Sequence, residues 1–305
     1  MCRPGAARLL REVKLLASAE NIRPRRSLLF VPGLRPDRFA KALDAGADIV
    51  CIDLEDAVAP ERKAEARALT FPLFANSTHP HVERMLRINA LSTADGLKDL
   101  QALIDSGFPP PAIMIPKVRS AEEIQLFDRL LTGRAAAIRY CVIIETNQGL
   151  ERVHEIARAS PRIDSLIIGA VDLSADLRCS KTWEALLYAR SRIVHAAASA
   201  GIDALDVPYL NLEDDAGLRE ESMASSRLGY TGKASIHPDQ LPAIHAAFTP
   251  DDKAVARARK IIAAFKEDTT GLFVVDGELI ELPVVRSMHR VLAIADRIAM
   301  NRQAG

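Results

Sequence analysis

The sequence has no C-x-x-C pair among its four cysteines, no surplus of either charge, no long apolar run and no low-complexity tract. Each absence removes a class of function. Cys2, Cys51, Cys141 and Cys179 lack metal-site or redox spacing, and Cys51 and Cys141 fall inside strand-like runs, so they read as reduced core thiols of a cytoplasmic protein. Forty basic side chains balance forty acidic ones, leaving no global field to draw nucleic acid or an anionic membrane, and neither is expected as a partner. No apolar stretch approaches the ~20 residues that span a bilayer. Residues 1–25 are basic, but Arg11, Glu12 and Lys14 interrupt the Leu9-Leu10 and Leu15-Leu16 pairs, which predicts an amphipathic helical extension rather than a signal peptide. No G-x-G-x-x-G follows any strand-like run, which argues against a doubly wound dinucleotide-binding sheet.

What is present is an alternation. Apolar, β-rich runs at residues 27–32, 49–53, 84–89, 112–116, 140–145, 165–172, 201–206 and 232–237 are separated by helical patterns at 37–45, 60–69, 93–105, 121–131, 149–159, 183–200 and 213–228. Eight β/α units over roughly 250 residues match an α/β fold of the (β/α)₈ TIM-barrel type, assigned to residues 26–249. From residue 250 the rhythm changes. A helix over 251–266, a hairpin over 272–282 turning at Asp276-Gly277, and a last helix from Pro283 to residue 302 predict a small C-terminal lobe, residues 250–305. Being too small to stand alone, it is expected to cover a barrel mouth or a neighbouring subunit.

Barrel chemistry gathers at the C-terminal ends of the strands. Reading those ends in order gives Asp53, Glu55 and Asp56, then Arg87 and Asn89, Lys117, Glu145, Asp172, Asp206, and Lys233 to His237. Glu145 and Asp172 close two neighbouring parallel runs, about 4.8 Å apart. Without a Lys or Arg between them they would repel unless a proton or a cation intervenes, and a divalent cation is the reading taken here. Mg²⁺ suits such a ring, since it takes one or two carboxylates and fills its other positions with water and substrate oxygens. Arg87 offers a bidentate fork for an oxyanion, or else a partner for Asp53 or Glu55. Lys117 either touches substrate or bridges rim carboxylates. Lys233 either meets a carrier phosphate or is solvated, and His237 before Pro238 reads as a turn lock more readily than as a ligand. His154, His195 and Trp183 read as packing or surface groups.

The segments Arg26-Ser-Leu-Leu-Phe-Val-Pro-Gly33, Asp53-Leu-Glu-Asp-Ala-Val58, Arg87-Ile-Asn89, Ile115-Pro-Lys117, Glu145-Thr146, Gly169-Ala-Val-Asp172 and Gly232-Lys-Ala-Ser-Ile-His-Pro238 together resemble the citrate lyase beta-subunit-like family. That family is the branch of the HpcH/HpaI aldolase superfamily that includes malyl-CoA and citramalyl-CoA lyases. The resemblance spans residues 26–297. It implies a magnesium-dependent barrel, usually trimeric, that cleaves a 3-hydroxyacyl thioester of coenzyme A or of an acyl carrier protein into an acetyl thioester and a 2-oxo acid. It further implies that Glu145 and Asp172 ligate Mg²⁺ and that Arg87 binds substrate and steadies the enolate oxygen. Backbone amides around Gly169, Ala170 and Val171 would hold the 2-oxo acid carboxylate. Lys117 is kept as a substrate contact, and Asp53, Glu55 and Asp56 as groups that fix those residues from behind.

Three places depart from the family pattern. Many relatives carry an aspartate in a Met-Ile-Asp-x-Pro segment, supplied across the trimer interface as acid/base; here Leu279-Ile-Glu-Leu-Pro283 puts Glu281 there. The added methylene moves the carboxylate by roughly 1 Å, a displacement that can cost about 100-fold. Val207 stands where many relatives have Gly, and Asn147-Gln148 where small residues are common. Two rival expectations follow: aldol cleavage of a free 2-oxo-4-hydroxy acid, and a non-catalytic metabolite-binding barrel.

Overall fold

The computed structural model describes residues 23–75, 79–267 and 272–304. The expected helical extension lies almost wholly outside them. The chain divides into a compact unit, Arg25–Phe248, and a second that takes in the residues from Thr249 onward.

The first unit is a closed barrel of eight parallel strands in sequential order. They are β1 (Ser27–Pro32), β2 (Ile49–Asp53), β3 (Glu83–Arg87), β4 (Ala112–Ile115), β5 (Arg139–Ile144), β6 (Ile163–Ile168), β7 (Asp203–Asp206) and β8 (Gly232–Ser235). Side chains alternate across a strand, so each strand sends one parity inward and the other toward the helices. The inward set (Leu28, Ile49, Cys51, Met85, Met114, Cys141, Ile143, Ile167, Leu205, Ala234) fills the barrel. The outward set, including Leu29, Val50, Ile52, Leu86, Ile113, Val142, Ile144 and Leu166, packs beneath the helices. Continuing the inward parity one step past the apolar layers reaches Phe30, Asp53, Arg87 and Glu145. The candidate rim is thus the last layer of the barrel core, polar except for Phe30.

The opposite end is closed by charge. Arg25 donates to Glu83 (2.9 Å), Asp164 (2.5 Å) and Asp203 (3.2 Å), and Arg26 pairs with Asp48 at 2.7 Å. These acids sit at or just before the starts of β2, β3, β6 and β7, so the two arginines tie the bottom of the barrel together.

Most helices follow the sequence pattern, and their caps explain their starts. Thr93, Thr146 and Thr182 each accept a hydrogen bond from the amide three residues on. Three expectations need correction. The helix expected at 149–159 is two short pieces, Asn147–Glu151 and Val153–Ile156, which meet at Arg152. The run 165–172 is not one strand: β6 ends at Ile168, and α1 (Ala170–Leu177) begins after Gly169, placing Asp172 in a first helical turn. A further helix, Leu241–Phe248, follows β8.

Asp206 and Lys233 also correct the reading. Both point outward and are fully buried: Asp206 accepts from Arg190 (3.1 Å), Lys233 (2.9 Å) and Ser225 (2.6 Å), while Lys233 also reaches Glu221 at 2.6 Å. Lys233 is therefore neither solvated nor a phosphate contact, and Asp206 is not a rim group. Burial alone would raise the Asp206 carboxyl, but Lys233 and Arg190 hold it below the usual carboxylate range.

In the second unit, the helix Asp252–Glu267 and the hairpin β9 (Leu272–Val275) and β10 (Glu278–Glu281) share a small core of Ile261, Phe265, Val275 and Ile280. The turn residues Asp276 (φ 54°) and Gly277 (φ 81°) are both left-handed, as a two-residue hairpin requires. The last helix runs Leu282–Ala304.

Removing one member of the outward network should be costly, because it strands a buried charge. Lys233→Met is expected to lower unfolding free energy by about 3–5 kcal/mol in urea titrations; a change under about 1 kcal/mol would show that the network is not a structural clamp.

Candidate active site

The C-terminal ends of the strands surround a cavity of about 710 Å³, lined among others by Phe30, Asp53, Arg87, Glu145, the segment 169–172 and Val207. Asp53 and Arg87 are direct neighbours in the β2–β3 register. Their pairing is bidentate: Arg87 Nε donates to Asp53 Oδ1 (2.7 Å) and Nη2 to Oδ2 (2.6 Å). Asp53 also accepts the Glu55 and Ala57 amides at 2.8 and 3.0 Å, which curls the loop after β2 over the rim. The remaining nitrogen, Arg87 Nη1, lies 3.1 Å from Glu55 and 3.2 Å from Asp56. The guanidinium rests 5.1 Å above the Phe30 ring centroid. Both readings of Arg87 are thus physically present: one edge is committed to Asp53, and one nitrogen faces the loop acids at the cavity.

Glu145 follows β5 and is almost completely buried. Gly169 faces it; a Cβ on Gly169 would come within 2.4 Å of Glu145 Oε2, so only glycine lets this carboxylate lie against β6. Burial first, and then the Glu55 charge, push the Glu145 carboxyl up to about 7 despite the opposing Lys117. Burial likewise raises Glu55, against the pull of Arg87 and Lys117. Asp172, 44% exposed, stands in the first turn of α1, where the free amides of a helix start favour anionic groups.

Lys117 stands between these acids. It adopts a left-handed conformation (φ 55°), uncommon for a residue with a side chain and typical of functional positions. Its amide donates to Glu145 Oε1 at 2.7 Å. Its ammonium lies 2.9 Å from Glu55, 3.5 Å from Asp172 and 4.0 Å from Glu145. The premise that no cation intervenes between Glu145 and Asp172 is therefore corrected: an ammonium reaches both. The bridging alternative for Lys117 is the geometry observed.

The donor set fits Mg²⁺. Glu145 and Asp172 provide hard oxygens converging on one ammonium-sized position, and Asp53, Glu55 and Asp56 crowd the same rim, where Arg87 and Lys117 are the cations paired with these acids among the described residues. That acid excess leaves a divalent cation electrostatically welcome. Among the described residues no group of three His, Cys, Asp or Glu side chains is arranged to hold a metal by itself, so water and substrate would complete the shell.

Other expected residues lie elsewhere. Asn89 is buried against Asp99 and the Leu54 carbonyl. His237 accepts the Asp239 amide at 3.3 Å, locking its turn at the cavity edge. His154 and His195 pack edge to face on helices, 4.8 Å apart. Trp183 begins its helix under Arg190. Glu281 ends β10 in the second unit, exposed on the hairpin face that also carries Leu272, Val274 and Leu279. Sequence reasoning overlooked Phe30, which the inward parity of β1 marks. It also overlooked Arg38 and Lys41, one helical turn apart on Pro36–Asp44, which line the cavity.

Residues 26–238 match the family described as HpcH/HpaI aldolase/citrate lyase. The chain is 34% identical over 306 residues to an L-malyl-CoA/beta-methylmalyl-CoA lyase of Cereibacter sphaeroides, covering 91% of this chain and 96% of that protein. It is 33% identical over 288 residues to the citrate lyase subunit beta of Leuconostoc mesenteroides, covering 90% and 95%. Among solved structures it resembles the protein CitE of Mycobacterium tuberculosis in complex with magnesium, acetoacetate and coenzyme A, with a TM-score of 0.74, 32% identity, and 89% and 98% of the two chains covered.

The raised Glu145 carboxyl has a defined consequence for stability without metal. Between its ordinary value near 4.5 and about 7 the folded state binds the proton more tightly than the unfolded chain, so this group's contribution falls as pH rises through that window. In EDTA, Glu145→Gln should therefore gain melting temperature relative to the parent as pH goes from 5 to 8. A difference that stays flat across the window would show that the carboxyl is not held up by burial.

Proposed function

Because the chain belongs to the HpcH/HpaI aldolase/citrate lyase family, we propose that it is a magnesium-dependent carbon–carbon lyase. Its substrate is a 3-hydroxyacyl thioester of the malyl, citramalyl or citryl type, and its products are an acetyl thioester and a 2-oxo acid. The observation that supports this reading is the convergence of Glu145 and Asp172 on one ammonium position at a cavity that Arg87 also lines.

The reaction breaks the C2–C3 bond. The 3-hydroxyl loses its proton and becomes the keto oxygen of the 2-oxo acid, while the electron pair moves onto the thioester as an enolate that is then protonated at C2. Mg²⁺ held by Glu145 and Asp172 would supply Lewis acidity toward the substrate's hydroxyl and carboxylate oxygens. Arg87, held rigid by Asp53, presents Nη1 to charge that develops on the thioester oxygen. The α1 amides after Gly169 receive the substrate carboxylate. Gly169 keeps the wall beside Glu145 free of a side chain.

The cavity's size and its second charged corner favour a carrier-bound substrate over a small free acid. Arg38 and Lys41 line it with no carboxylate bonded to either among the described residues, which suits the phosphate of a phosphopantetheine arm. Val207 narrows the wall where many relatives have glycine and would bear on the choice of 2-oxo acid. No helix among the described residues is long and apolar enough to cross a membrane, and the working form proposed is a cytoplasmic homotrimer. Glu281 of one copy serves as acid/base at a neighbour's site. The apolar face that Glu281 shares with Leu272, Val274 and Leu279 suits such docking.

With a panel of malyl, citramalyl and citryl thioesters, EDTA should abolish cleavage and Mg²⁺ restore it, and Glu145→Ala should lose about 10³-fold in kcat. Cleavage of free 2-oxo-4-hydroxy acids alone would favour the aldolase alternative, and no turnover of any substrate by the parent would leave only a binding barrel. Glu281→Ala is expected to lower kcat by about 10²-fold with KM little changed. Unaltered kcat would retire Glu281 from the mechanism.

A further inference from the structure

We propose that the Lys117 ammonium is a tethered counter-ion that occupies the divalent-cation position between Glu145 and Asp172 and must withdraw toward Glu55 when Mg²⁺ binds. This inference rests on the reading of Glu145 and Asp172 as the metal ligands.

Three observations carry it. First, the ammonium sits within 4.0 Å of Glu55, Glu145 and Asp172 together, but its contacts are unequal: 2.9 Å to Glu55 against 3.5 and 4.0 Å to the other two. Its firm bond is to Glu55, and its hold on the two ligand carboxylates is loose. Second, Glu55 keeps a bond to the withdrawing ammonium through Oε1, while its Oε2 is ion-paired with Arg87. Glu55 is 6% exposed, and its Oε2 has no hydrogen-bond partner; Arg87 Nη1 stands 3.1 Å away, outside hydrogen-bond geometry. Lys117 can therefore leave Asp172 and Glu145 while still bonded to Glu55. Third, the backbone is fixed independently of the side chain. The left-handed Lys117 backbone directs its amide at Glu145 Oε1 (2.7 Å), so the same residue orients one proposed ligand through its N–H and brings its Nζ to both carboxylates.

The physical effect is competition. Two unit charges about 4 Å apart interact by several kcal/mol at the effective dielectric of a protein rim. An ammonium already among the ligands weakens the field available to Mg²⁺, and the ion then repels it. The metal is held weakly by the free protein, and substrate oxygens added to its shell tip the balance. Lys117 would thereby link occupancy of the metal site to the arrival of substrate, acting as a positioning residue that need not touch the reacting atoms.

The test measures Mg²⁺ binding without turnover. Lys117→Met keeps the backbone amide and removes the charge; titration calorimetry should show Mg²⁺ bound at least about tenfold more tightly than by the parent. Lys117→Arg should stay close to the parent. In EDTA, Lys117→Met should melt lower than the parent, and added Mg²⁺ should raise its melting temperature by more than it raises the parent's. A merely structural bridge predicts lower melting with unchanged Mg²⁺ affinity, and that result overturns the proposal, as does weaker binding. Binding that Glu145→Gln abolishes but Lys117→Met leaves unchanged would sink this inference alone. No Mg²⁺ binding by parent or Lys117→Met would sink the metal reading with it.

Discussion

The constraint on which this site depends is an excess of carboxylates on the last inward layer of a barrel whose lower layers are apolar. Asp53, Glu55 and Glu145 are held at 2%, 6% and 3% exposure, where water cannot screen them. Buried acids at such density need cations, and among the described residues Arg87 and Lys117 pair with these three, deployed differently. Arg87 is locked by a bidentate bond from a neighbouring strand and stays put. Lys117 reaches in from a loop and touches three acids without being saturated by any one. The first is a fixed positive charge, and the second is a charge shared among three acids, the one we propose gives way to a divalent ion.

The barrel makes that cup possible by separating burdens. At the bottom, Arg25 and Arg26 consume the acids that open β2, β3, β6 and β7. Outside, Asp206, Lys233, Arg190 and Glu221 form a closed network under the helices. Both tie neighbouring strands or helices together by paired charges, although Arg190 Nη1 is left without a hydrogen-bond partner. At the upper rim Asp53, Glu55, Asp56, Glu145 and Asp172 are paired with Arg87 and Lys117, and there the cavity opens.

Much of this was legible from residue order. Eight strand–helix units, the hairpin at Asp276-Gly277 and the start of the helix at Trp183 follow from period and punctuation. Asp53, Arg87 and Glu145 were readable as rim groups, since each continues an inward parity beyond two apolar residues or, on β3, beyond Met85. Asp206 misled for the same reason inverted: Ala204 and Leu205 are both apolar, so β7 gives no parity, and the acid faces outward. Asp172 was placed on a strand because only Gly169 interrupts an apolar run whose second part coils into a helix. The position of the Lys117 ammonium is tertiary; nothing in Ile-Pro-Lys says which acids it will span.

Gly169 and Lys117 together show how the ends of the sixth and fourth strands position one carboxylate, that of Glu145. Gly169 removes the side chain that would displace the Glu145 carboxylate, and the Lys117 amide fixes one of its oxygens. The other oxygen therefore lies against Gly169 at the cavity wall. The carboxylate thus has one oxygen for structure and one for chemistry, and its burial keeps it reluctant to carry charge until a cation arrives. A carboxylate arranged in this way would couple its ionisation to metal occupancy: Lys117 relieves part of the penalty for the bare anion, and a bound divalent ion would relieve more. In the proposed reading, that coupling would let two carboxylates from one chain hold a metal whose remaining partners come with the substrate.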